Sequence, residues 1–136
     1  MTTTATETRT VIVEREIPYA PEKIWRALTV PHLIEEWLMK NDFEAKADHK
    51  FNLRGDWGSV DCQVIKIQPH KSLSYSWAAH GLESVVTWTL TPTSKGTNLR
   101  MEQSGFRADQ KQFYQGAKMG WGNFFAKLEQ VLARVD

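Results

Sequence analysis

The chain has a single cysteine, Cys62, so no internal disulfide can staple it. It also lacks net charge: 17 Lys and Arg stand against 16 Asp and Glu, a formal +1. That balance offers no bulk attraction to nucleic acid or to an acidic membrane surface. No apolar run approaches the roughly 20 residues that a membrane span requires. The opening MTTTATETRT has no basic region followed by an apolar core, so it does not read as a secretory signal, and a cytoplasmic protein is expected. Residues 1–7 are polar and rich in threonine and are expected to form a disordered tail. Residues 8–136 are expected to form one domain, with no repeat or linker that would divide them.

Chemistry-bearing motifs are missing as well. There is no HExxH pair, and His32, His49, His70 and His80 lie far apart at expected turns or helix starts. They read as surface residues, so neither a metal site nor a cofactor is expected. The glycines form neither a P-loop nor a dinucleotide fingerprint. No GxSxG nucleophile elbow is present, and no catalytic residue is assigned.

What the chain has is aromatic side chains, six of them tryptophan, and a long C-terminal stripe to place some of them on. Phe113, Ala117, Trp121, Phe124, Leu128, Val131 and Val135 follow one another at intervals of three and four, with Phe125 and Leu132 alongside. That period predicts one face of an α-helix over 113–135. Gly116, Gly120 and Gly122 crowd its first half, and each costs a helix about 1 kcal/mol relative to alanine. Such a helix must be held by what it packs against. Its C-terminal half is read as the anchor of the fold, and its N-terminal half, with Trp121 and Phe125, as the wall and gate of any pocket.

The rest of the chain supplies the partner surface. Thr8 to Ile17 reads as a strand with Val11, Val13 and Ile17 on one face. Arg15 falls on that same face, either reaching solvent along its stem or buried against a carboxylate. Pro21 and Pro31 each suit the first turn of a helix, which predicts two short helices in a V. Trp37, Leu38 and Met39 follow as an exposed apolar cluster. From Phe43 to Ser104 the residues alternate in strand fashion, with turns at 55–58, 69–72, 78–82 and 92–96. The phase slips near Val64, which predicts a bulge. Short turns between successive strands make the sheet antiparallel. The expected architecture is α+β: a curved sheet of six or seven strands wrapped around one long C-terminal helix.

Four segments then carry a resemblance to a known family. They are IPYAPEKIWRALTVPHLIEEW, VDCQVIKIQPHKSLSYSW, VVTWTLTPTSKGTNLRMEQSGF and GWGNFFAKLEQVL, which together cover most of the chain. The sequence resembles the START-like, helix-grip superfamily, and within it the branch named after the activator of the heat-shock-protein-90 ATPase. The resemblance implies the helix-grip fold. Where that branch often carries a histidine in an E-H-x-G-F ending, this chain has Gln103, so a role for that histidine does not transfer. The chaperone-activating role belongs to longer eukaryotic proteins with an added N-terminal domain.

The inward faces define the candidate site. Val86, Trp88 and Leu90 share a face, and alternation gives them Leu73, Tyr75, Trp77, Leu99, Met101 and Gln103 as companions. Trp37, Met39, Phe43, Phe51, Leu53, Trp121 and Phe125 cap or floor the same space. One reading is a plainly packed core. The other is a pocket for a hydrophobic or aromatic small molecule, since a few polar groups on an apolar wall orient such ligands. The expected binding residues are Trp37, Met39, Phe51, Leu53, Tyr75, Trp77, Trp88, Met101, Gln103, Trp121 and Phe125, with Tyr75 and Gln103 orienting the ligand. Two further readings stay open. One is an enzyme acting on an aromatic or polyketide-like substrate through Tyr75 with Glu83 or Glu102. The other is an interaction module, with a chaperone partner or a homodimer docking at Trp37 to Met39. The pair Asp56-Trp57 is a tight turn or a lid.

Overall fold

A computed structural model describes residues 8–56 and 58–135. The expected tail at 1–7 and Trp57 lie outside the described residues. The chain opens with strand β1 (Thr8–Ile17), then helices α1 (Pro21–Thr29) and α2 (Pro31–Trp37). Strands β2 (Lys40–Asn41), β3 (Lys50–Gly55), β4 (Gly58–Gln68), β5 (Ser72–Ala79), β6 (Leu82–Thr93) and β7 (Gly96–Arg107) follow. Helix α3 (Lys111–Arg134) is the last element. Prolines stand in the first turns of α1 and α2, where the missing N–H loses no bond.

The seven strands form one sheet in the order β1-β7-β6-β5-β4-β3-β2, antiparallel throughout. This is the helix-grip α+β arrangement the sequence implied. Hairpins link β3 through β7, and β1 zips along β7, so the first and last strands are neighbours.

Two bulges set which side chains face inward. In β4, Val64 pairs with Tyr75 and Lys66 with Ser74, leaving Ile65 as the extra, exposed residue. The phase is restored, and Ile67 packs against the core opposite Leu73. In β7, Ser104 pairs with Thr10 and Phe106 with Arg9, so Gly105 is the extra residue. Gly105 has φ +113, and a Cβ there would come within 2.7 Å of the Glu83 carbonyl oxygen, so both backbone angle and space demand glycine. Past this bulge Phe106 points inward and is fully buried.

Several expectations are corrected. Phe43 to His49 is irregular rather than strand. Strand β7 runs on to Arg107, three residues beyond the expected end at Ser104, because the bulge hides the alternation. Trp37, Leu38 and Met39 are not an exposed patch: Trp37 is 2% exposed and donates its indole N–H to the Ala27 carbonyl at 2.8 Å. A helix end followed at once by β2 folds that cluster under the sheet. Arg15 satisfies parts of both its readings. It is 42% exposed, yet it reaches Glu129 of α3 at 3.1 Å and lies over the Phe125 ring.

Candidate functional site

Trp88 is the centre of the aromatic core. It is completely buried, packs edge-on to Trp37 and Trp121, and stacks on Phe125. Its indole N–H donates to the Tyr75 hydroxyl at 3.0 Å. Burial pushes the Tyr75 hydroxyl well above its ordinary range, and the Trp88 hydrogen bond only partly opposes this. Phe51 packs edge-on to Tyr75, and Phe43 to Phe51. This part of the interior is filled.

The space opens toward the first half of α3. A cavity of about 390 Å³ lies between that half-helix and the β5–β6–β7 end of the sheet. Its helix wall is Phe113, Gly116, Ala117, Gly120, Trp121 and Phe124, at the spacing of one helical face. Trp77, Leu82, Gln103 and Phe106 form the sheet wall, with Met39 from beyond α2. Gln112, His80 and Ala79 complete the lining. No aspartate, glutamate, lysine or arginine is among these residues. Phe113, 38% exposed, and the exposed Gln112 mark the solvent side.

A directional hydrogen-bond chain ties the two walls together. Trp121 donates its indole N–H to Gln103 Oε1 at 2.7 Å. Gln103 Nε2 donates to Ser84 Oγ at 2.9 Å, and the Ser84 hydroxyl donates to the Trp77 carbonyl at 2.8 Å. The chain fixes which way the Gln103 amide points, since only its oxygen can accept from an indole. Trp77 and Trp121 also touch directly, ring centroids 5.3 Å apart. The aromatic walls are therefore held in place with no ligand needed to order them.

Of the residues expected in the site, Met39, Trp77, Gln103 and Trp121 line the cavity. Trp37, Phe51, Leu53, Tyr75, Trp88, Met101 and Phe125 pack behind it, buried in the filled core. Strand alternation identified the inward face but not where that face meets the helix and where it meets space. Phe106 was hidden by the bulge. Phe113 and Phe124 are visible in the helical stripe but are not among the expected binding residues. His80 and Gln112 had no signal beyond their nearness to turns. The expected pairing of Tyr75 with Glu83 or Glu102 does not form. Glu102 lies on the outer face against Arg100 at 3.1 Å, and Glu83 is exposed on that face too. Among the described residues no group of three or more His, Cys, Asp or Glu could hold a metal ion, and no helix is long and apolar enough to cross a membrane.

Comparison with known proteins places this fold. No curated protein matches the chain. Protein MLL2253 from Mesorhizobium loti, a crystal structure, is 62% identical with a TM-score of 0.91, over 94% of this chain and 99% of that one. DynU16, a protein in the dynemicin biosynthetic locus, is 25% identical with a TM-score of 0.84, over 92% of this chain but only 47% of its own. The Aha1 dimer from Colwellia psychrerythraea is 20% identical with a TM-score of 0.83, over 91% and 96% of the two chains, a likeness of fold alone. The sequence profile described as activator of Hsp90 ATPase homolog 1-like protein matches residues 18–133, from the end of β1 into the last turn of α3. A match over that much of the chain means that it belongs to the activator of Hsp90 ATPase homolog 1-like family.

Proposed function

We propose that the protein is a cytoplasmic binding protein for an uncharged, hydrophobic or aromatic small molecule held between the sheet and the first half of α3. The observation that carries this is the cavity of about 390 Å³ walled by Trp77, Trp121, Phe106, Phe113 and Phe124. Its size falls within the range of small-molecule pockets, and aromatic walls with a few fixed polar groups are what such pockets present. A charged ligand would lose its hydration there with no opposite charge in the lining to offset the loss. Gln103, its amide oriented by Trp121 and Ser84, is the group best placed to orient a bound molecule. The single buried thiol of Cys62 suits a reducing compartment. A location of DynU16 in a biosynthetic locus agrees with small-molecule work in this fold.

The test is a titration with 2-naphthol, 1-pyrenemethanol and decanol, followed through the indole N–H resonances. The expected outcome is a saturable shift of the Trp77 and Trp121 resonances, with that of Trp25, which does not line the cavity, unmoved. If none of the three compounds gives a saturable shift at Trp77 or Trp121, the proposal falls.

A further inference from the structure

Gly116 and Gly120 stand one turn apart on α3, and both line the cavity. Gly122, two residues further on, does not. A Cβ built on any of the three meets no atom within 4 Å, so packing within the fold demands glycine at none of them. All three lie in the body of a helix, where glycine is unfavourable by about 1 kcal/mol relative to alanine. At Gly116 and Gly120 the space left empty belongs to the cavity. Across it stand Trp77, Leu82 and Phe106, and along the helix Phe113 and Phe124 flank the pair.

Resting on the binding reading above, we infer that Gly116 and Gly120 determine which ligands the cavity admits. Between Phe113 and Trp121, two missing side chains leave the helix wall as bare backbone and the Ala117 methyl. A ring system broader than a single ring can lie against that wall and face the indole of Trp77. A leucine at 116 or 120 would project into the same space and leave room only for a smaller molecule. The helix itself would not suffer, because leucine is a better helix former than glycine.

A competing account is that the glycines serve only to soften the helix and let ligands pass. Gly122 separates the two, since replacing it stiffens the helix without entering the cavity. The experiment titrates phenol, 2-naphthol and 1-pyrenemethanol into the wild-type chain and into Gly116→Leu, Gly120→Leu and Gly122→Leu, each checked by its melting temperature. The wild type and Gly122→Leu should bind 1-pyrenemethanol alike. Gly116→Leu and Gly120→Leu should bind it at least about tenfold more weakly, the expected scale for overfilling a packed site, while phenol is retained. All three variants should melt no lower than the wild type. Full binding of 1-pyrenemethanol by both cavity variants would overturn the inference, as would an equal loss in Gly122→Leu. A wild type that takes phenol or 2-naphthol but rejects 1-pyrenemethanol would overturn it while leaving the binding reading intact. A wild type that binds none of them removes both.

Discussion

Gln103 sits 2% exposed beside Leu99 and Met101 on the inward face of β7, and both ends of its amide are used. Replacing it with leucine keeps the volume but leaves the buried indole N–H of Trp121 without an acceptor. An orphaned buried donor costs about 1–3 kcal/mol, so Gln103→Leu should lower unfolding stability by about 2 kcal/mol in a denaturant titration. The cost should largely vanish when Trp121 is already phenylalanine, because the donor is then gone. Strictly additive effects in that double-mutant cycle would show that the two side chains are not coupled. Alternation along β7 was enough to put Gln103 on the inward face. Its partners were not legible, because Ser84 and Trp121 approach it from other elements, 19 and 18 residues away in the chain. Gly105 follows directly on the alternating run that ends at Ser104, but its role, a bulge that swings Phe106 into the cavity wall, depends on register with β1.

Helix α3 is two elements in one. From Lys111 to Gly120 it contributes no buried residue, whereas Trp121, Phe125, Leu128, Val131 and Leu132 are all buried. Arg134 pairs with Glu36 of α2 and Glu129 with Arg15 of β1, so the far half is also pinned to its neighbours. Exposed pairs of this kind contribute little, and the buried side chains hold that half in place. The half facing the cavity is held by half-buried Tyr114, edge-on to Phe106, rather than by buried side chains, and it carries Gly116 and Gly120, a penalty of about 2 kcal/mol against alanine. Amide exchange should therefore show residues 114–120 opening at least about 2 kcal/mol more readily than residues 126–132. Uniform protection along α3 would contradict this division. The 3.6-residue period revealed the stripe and its glycine-rich half directly. It could not tell that Phe113 and Phe124 border a void, since a periodic face looks the same whether a sheet or empty space lies opposite.

At the scale of the whole molecule, the order of elements could be read from hydrophobic period, prolines and turns, but the depth of the cavity could not. That depth depends on how far two bulges and a half-anchored helix keep the β5–β6–β7 end apart from α3. The filled part of the core makes its own prediction, through two weak acids sealed inside it. Cys62 is buried on β4, and burial, helped by the charges of Asp61 and Asp42, pushes its thiol from the ordinary 9.0 up to about 12. Tyr75 is raised from its ordinary 10.0 in the same direction, again chiefly by burial. Both groups keep their protons in the fold at a pH where the unfolded chain has begun to release them. The unfolded state then binds fewer protons than the native one, so stability must fall as pH rises. Their contribution is complete below about pH 8.5, where unfolded thiol and phenol are still protonated, and it is lost progressively above it. Comparing variants with wild type cancels every other titration. Cys62→Ala should flatten the curve of stability against pH from about pH 8.5 upward, and Tyr75→Phe should flatten it from about pH 10. Tyr75→Phe should also cost about 1–2 kcal/mol at neutral pH, because the Trp88 indole N–H loses its acceptor. Denaturation midpoints measured from pH 7 to 11 that run parallel in wild type and both variants would show that neither group is sealed from water.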